Sequence, residues 1–293
     1  MDSDSEFYGN EKTVSKLRAR VANTDVSSYW SGRKTVNPIS ARLSHGASSH
    51  VNDTVPSSPG SLYNPFSGMP HAAHTETIDA FLERLPPATT DRTPDLPWIW
   101  IANRHFSVLQ AVGDETKFIQ GGKERLRLFT EFIETTSARA ASPFVATRLI
   151  AQARKAAIDH LTALAEETKL LEGKWMLFPS PGRVNQVWAS VARATANNEL
   201  GISAKVATRD QAYAARLICV YTRDFRDKSD VARVLKRLME LELVRPGKEQ
   251  IYYKCDAWTY MGINHGNEWG IPASIYSSND VFNYMSNVSP GDA

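Results

Sequence analysis

The sequence predicts a fold that combines one β-sheet with long helices, and three observations carry that expectation. Between Leu217 and Tyr260, a β-branched and aromatic run, a helical repeat and a second aromatic run follow one another, with turn-forming residues between them. From Glu124 to Leu171 the apolar residues recur instead at the three- and four-residue spacing of amphipathic helices. The first stretch of the chain, up to about residue 75, shows neither pattern.

Taken in order, that first stretch is rich in Ser, Asn, Thr, Pro and Gly, with apolar residues too scattered to build a face, which is the composition of a disordered tail. Within it, Val26 to Arg33 is an aromatic island around Tyr29-Trp30. It reads either as a chance aromatic pair or as a peptide that docks on a protein partner or back on the folded domain. His71 and His74 are spaced for a metal but lack cysteine or carboxylate company, so no metal site is expected.

A single ordered domain is expected over residues 76–278, with 279–293 as a frayed C-terminal tail. Ile78 to Leu85 is a short helix that Pro86-Pro87 stops. Leu96 to Ile101 is an early strand whose alternation puts Trp98 and Trp100 on the same side, as core or as a stacking surface. Gly121-Gly122-Lys123 precedes a helix over Glu124–Ala138 but lacks the glycine spacing of a phosphate loop. Ser142-Pro143 opens a helix over Phe144–Leu171 that buries Leu149, Ile150, Ala153, Ala157, Leu161 and Leu164, with Gly173 as its cap. Lys174–Phe178 is a strand, Val184–Leu200 a helix burying Val184, Val187, Trp188, Val191 and Ala194, and Ser203–Thr208 a second strand. The strand from Leu217 to Thr222 leads to a helix capped by Ser229 and carrying Val231, Val234, Leu235, Leu238 and Leu241; Arg245-Pro246-Gly247 ends it, and Ile251–Lys254 is the next strand. Ala257–Ile263 and Ile271–Tyr276 complete the domain, with Gly262, Gly266 and Gly270 as turns.

Charge and composition exclude several classes. A net charge of +2 over 293 residues is unlike the surface of a dedicated non-specific duplex binder. Two cysteines, both inside expected strands, do not make a disulfide framework. No run of about twenty apolar residues is present and no secretory leader is read, so the expectation is a soluble protein of the cytoplasm, with the nucleus as the alternative, and no membrane partner. No cofactor is expected.

Several blocks taken together resemble a known family. They are Gly173-Lys174-Trp175; Leu200-Gly201 with Ala204-Lys205-Val206; Ile218 to Thr222 with Asp224-Phe225; Tyr252-Tyr253-Lys254 with Asp256; and Tyr260 to Trp269 with its Met-Gly-Ile and Gly-Asn-x-Trp-Gly elements. In this order they resemble the basophilic leukaemia-expressed protein family, a family of unknown function, over roughly residues 95–277. That family is similar in fold to the cap-binding translation initiation factor 4E. The resemblance implies an α+β fold with a curved, mainly antiparallel sheet, long helices on one face and a concave ligand face, whereas strand and helix alternation alone suggests a parallel sheet. The initiation factor's base-sandwiching tryptophans and acidic partner do not map residue by residue onto this chain, so cap binding is not carried over. A fainter similarity is to bacterial phosphothreonine lyases, which use a lysine base and a histidine acid; no position here clearly matches that histidine.

The strands themselves carry the chemical signal. Lys174, Lys205 and Lys254 each sit among apolar strand residues, and a buried ammonium is costly unless it is paired or reaches solvent. Edge protection, snorkelling to the sheet rim, or pairing with Asp224 or Asp256 would each account for one. Alternatively the three converge on the concave face and, with Arg209, Tyr221 and Arg223, bind a phosphorylated ligand. Candidates for catalysis are Lys174, Lys205 and His265, the last because imidazole titrates near neutral pH. The functional expectation is a binding module for RNA, a nucleotide or a phosphopeptide. The alternatives are a phosphate-processing enzyme and an interaction scaffold that uses the tail.

Overall fold

A computed structural model describes residues 76–106, 113–210, 215–248 and 250–287. In chain order they form α1 (Ile78–Arg84), β1 (Trp98–Ala102), α2 (Glu115–Arg139), α3 (Pro143–Glu167), β2 (Gly173–Leu177), α4 (Val184–Ala196), β3 (Ser203–Ala207), β4 (Ile218–Thr222), α5 (Lys228–Glu240), β5 (Tyr252–Cys255), α6 (Asp256–Tyr260), β6 (Tyr276–Ser277) and α7 (Ser278–Asn287). The expected tail, with its Tyr29-Trp30 island and His71/His74 pair, lies outside the described residues. Residues 279–287, expected to fray, form most of α7.

These residues group into two compact units. One holds Gly113–Leu170 and Ala257–Ala273, and its frame is the helix pair α2 and α3. Asp114 caps α2 by accepting the Lys117 amide, and Ser142 caps α3 by accepting that of Val145, with Pro143 at the first position where no amide is needed. Gly121 and Gly122 lie inside α2 and do not precede it. A Cβ on Gly122 would stand 2.3 Å from the Met261 sulfur, so this glycine serves close packing. Phe129, Ala153 and Ala157 form a core joined by Trp269, whose indole donates to Thr130 Oγ1 at 3.0 Å. The expected α3 stripe is corrected at Leu149, which is 40% exposed, and at its end: Thr168 caps the helix, while Gly173 opens β2.

The other unit contains the sheet. Its strand order is β1-β3-β4-β2-β5-β6 and every pairing is antiparallel, giving the α+β class with an open, curved sheet. The parallel arrangement that alternation suggests is therefore not adopted. Helix α4 ends at Ala196, four residues before the expected Leu200, and Asp227, not Ser229, is the N-cap of α5: its carboxylate accepts the Ser229 and Asp230 amides. Ala257–Ile263 begins in the short helix α6, while of Ile271–Tyr276 only Tyr276 reaches a strand.

Alternation gives the sheet two unlike sides. On one, Ile99, Ile101, Trp175, Leu177, Ala204, Val206, Ile218, Val220 and Tyr253 are all at most 4% exposed. Helix α4 lies beside β1 and β3 and α5 beside β4, and the Trp175 indole donates to Val231 O of α5 at 3.0 Å. The stripe of α4 read from the sequence is buried as expected, with Trp188 at 0%. Gly201 enters β3 so close to β4 that a Cβ would stand 1.7 Å from the Tyr221 carbonyl oxygen; the backbone approach itself requires glycine.

Candidate functional site: a lysine and aromatic face of the sheet

The other side of the same strands carries the polar chemistry. Register pairs Trp98 with Ala207 and Trp100 with Lys205 across β1 and β3, Lys205 with Cys219 and Ser203 with Tyr221 across β3 and β4, Lys174 with Tyr221 across β2 and β4, and Lys174 with Lys254 across β2 and β5. Directly paired residues of an antiparallel sheet point to the same side, so Lys174, Lys205, Lys254, Trp98, Trp100 and Tyr221 share one face. With adjacent strands about 4.8 Å apart, the lysines sit on strands that span three such steps.

Each ammonium has its own surroundings. Lys174 is 6% exposed and forms an ion pair with Asp256, the residue that follows β5. Burial works to lower its pKa, but the charge and hydrogen bond of the Asp256 carboxylate, together with the neighbouring Cys219 and Cys255, outweigh it and the result is raised. Lys254 is 7% exposed, and burial followed by the charge of Lys174 opposite lowers its pKa. Two lysines directly opposite each other repel, which the carboxylate of Asp256 offsets at Lys174. Lys205 is partly exposed, and among the described residues its Nζ makes no hydrogen bond or ion pair. It stands instead over three rings, 4.4 Å from the centroid of Trp98, 4.7 Å from Trp100 and 5.4 Å from Tyr221. Desolvation lowers its pKa. Tyr221 links the cluster, since the Lys174 Nζ lies 5.4 Å from the same ring and Trp100 stacks on it at 5.8 Å.

The remaining candidates fall elsewhere. Arg209 lies beyond the end of β3, where Asp91 holds its guanidinium through two bonds of 2.6 and 2.9 Å. Arg223 lies one residue past β4, with its guanidinium 5.1 Å over Phe106. His265 is an exposed loop residue of the helical unit. Of the two carboxylates weighed as lysine partners, Asp256 takes Lys174, whereas Asp224 is bound by Arg226 at 2.7 Å. Trp98 and Trp100 were separable in the sequence from the lysines only because the β1–β3 register was unknown. Tyr252, 43% exposed on the same face, had no signal beyond its parity with Lys254. Cys219 and Cys255 are free and buried, and burial pushes the Cys219 thiol up. No group of three or more His, Cys, Asp or Glu among the described residues could hold a metal ion, and no described helix is long and apolar enough to cross a membrane.

Fold and site together define an α+β protein whose sheet has one largely buried cationic and aromatic face, and comparison with known proteins places it in a family. Residues 17–262 match the pattern of the family described as basophilic leukemia-expressed protein Bles03, and the chain belongs to that family. Among solved structures, it is similar to Ascaris suum eIF4E-3 in complex with an m2,2,7G cap, at 15% identity over 38% of this chain and 59% of that one, with a TM-score of 0.29. The same protein with an m7G cap aligns at 20% identity over 29% of this chain and 51% of that one, with a TM-score of 0.24. The chain thus spans less than two thirds of either structure it matches.

Proposed function

We propose that this protein is a binding module whose lysine and aromatic face takes a phosphorylated ligand, a nucleotide or a short stretch of RNA. The observation that carries this reading is the register: three lysines from three strands share a side with Trp98, Trp100 and Tyr221, while the opposite side of the same strands carries no charge and its one polar pair, the Thr222 and Tyr253 hydroxyls, is bonded to itself. A purely structural sheet has no use for three cations in its interior positions, because each costs desolvation that apolar residues would avoid. A phosphate returns that cost through charge-assisted hydrogen bonds, and rings offer a base a stacking surface. The partly exposed Trp98 and Lys205 are where a ligand first meets this face, and the buried Lys174 and Lys254 lie further along it.

Titration of the full chain with a nucleotide, an RNA oligomer and a phosphopeptide at two salt concentrations tests the proposal. Binding of nucleotide or RNA that weakens with salt is expected, because lysine contacts to phosphate release counterions. Lys254→Ala should weaken it by about 1–3 kcal/mol, the range for a charged hydrogen bond. Binding of the phosphopeptide alone would move the site to a different ligand class, and binding unaltered by the substitution would remove it from this face.

A further inference from the structure

The lysine face changes character along its strands. Where Tyr221, Lys174 and Lys254 meet, it is closed, with these residues 2%, 6% and 7% exposed. Towards the opposite end of the strands it opens, and what it shows there is aromatic. Leu177 pairs with Ile218, and the Arg216 amide donates to Pro179 O at 3.1 Å, which sets Phe178 opposite Leu217. The Ala207 amide donates to Leu217 O at 2.9 Å, and Trp98 pairs with Ala207. Trp98, Ala207, Leu217 and Phe178 thus form one row across β1, β3, β4 and β2. The row belongs to the lysine side, since Trp98 and Leu217 both pack against Trp100, Cys219 and Tyr221.

Its two ends are rings and its middle is low. Phe178 is 59% exposed; Tyr252, opposite Met176 on β5 and 43% exposed, is its diagonal neighbour at about 7–8 Å. At the other end, the partly exposed Trp98 has the Lys205 Nζ 4.4 Å from its ring centroid. Three strand spacings separate Trp98 from Phe178, about 14 Å at the backbone. One base clasped by both would need rings about 7 Å apart, twice the stacking distance. Trp98 and Phe178 are therefore placed for two different bases. A duplex keeps its bases stacked on one another inside the helix, so only an unpaired strand can lay them on these rings.

We propose that the open margin of this face is a platform for single-stranded RNA, with one base on Trp98, another on Phe178 and Tyr252, and a backbone phosphate at Lys205. The proposal rests on the phosphate-binding reading above and narrows it, because a lone nucleotide fills only one end of the row. Stacking on exposed rings combined with a cation on the backbone is a sequence-tolerant way to hold a single strand.

Titration calorimetry of the full chain with UMP and with oligouridylates of increasing length tests this, uridylates being chosen because their bases stack weakly on one another and are free to spread over the rings. Affinity should rise at least about tenfold between the mononucleotide and an oligomer of about four residues, the gain from one further stacked base. Phe178→Ala should bring the tetramer down to the mononucleotide; thermal unfolding of this variant should match wild type, since the ring it removes is mostly in solvent. UMP bound as tightly as the tetramer overturns the strand and upholds the nucleotide reading. A length dependence that survives both Phe178→Ala and Tyr252→Ala overturns the platform at this margin. Binding of a phosphopeptide and of no uridylate overturns the strand in favour of a protein ligand, and binding of none of these probes removes the phosphate-binding reading together with it.

Discussion

The two sides of one sheet are a controlled comparison, because they are made by alternate residues of the same short strands. In β2, Gly173, Trp175 and Leu177 face one way and Lys174 and Met176 the other; in β4, Ile218 and Val220 oppose Cys219 and Tyr221. The apolar side meets helices and excludes water, so its residues contribute through burial and packing. The lysine side also buries a core, in which Trp98 and Met176 pack against Trp100, Cys219 and Tyr221, but it carries its cations at a cost in desolvation. Strand composition alone does not reveal this division of labour; parity does.

The largest expected effect lies on the apolar side. Trp188 on α4 is 0% exposed, and Trp188→Ala should destabilise the protein by about 3–5 kcal/mol through the cavity it leaves. Denaturant unfolding checks this, and a loss below about 1 kcal/mol would mean that α4 is not fixed to the sheet by this stripe. A smaller loss is expected on the lysine side from Lys174→Ala, which strands the Asp256 carboxylate. Breaking a wholly buried pair costs about 3–5 kcal/mol; Asp256 keeps 18% side-chain exposure, so about 2 kcal/mol is expected. Combining it with Asp256→Asn should recover much of that loss, because no unpaired charge then remains. Failure of the second change to recover any stability would show that the pair is not what holds Lys174 in the sheet.

The parts of this structure legible in the sequence were those governed by local periodicity. The stripe of α4, the β4 run and the shared parity of Trp98 with Trp100 need only neighbouring residues to be seen. Long-range pairing was not legible in that way: alternation of strands and helices reads as a parallel sheet, and the resemblance supplied the antiparallel one. The same limit separated the tryptophans of β1 from Lys205 of β3, since their meeting depends on a register set by residues about a hundred positions apart. Gly121-Gly122 misled for another reason. Glycine usually interrupts helices, yet here the room it leaves inside α2 is taken by Met261, a contact no local rule foresees. Asp227 displaced Ser229 as the cap because both residue types can accept the free amides two and three positions ahead, and composition does not choose between helix starts two residues apart.

The smallest stability effect, and the sharpest contrast between the faces, is expected at Lys205. Replacing it with methionine keeps the aliphatic stem beside the rings and removes an ammonium that has no ionic partner among the described residues. Stability at neutral pH should change by no more than about 0.5–1 kcal/mol and should rise if it changes at all, since a desolvated charge is lost and no carboxylate is stranded. The pH dependence follows from opposite shifts. The pKa of Lys205 is lowered in the folded protein, so between that value and 10.5 the unfolded chain binds more protons and stability rises with pH. The pKa of Lys174 is raised, so its contribution is fully present below 10.5 and is lost as pH climbs through the higher folded value. Thermal unfolding from neutral to alkaline pH should therefore show wild type gaining on Lys205→Met as pH rises towards 10.5. Nucleotide binding should be weaker in Lys205→Met at neutral pH, and the difference should shrink as Lys205 loses its proton at alkaline pH. A variant that loses several kcal/mol at neutral pH would make Lys205 a structural residue like those across the sheet, and the functional distinction between the two faces would fail at its most exposed lysine.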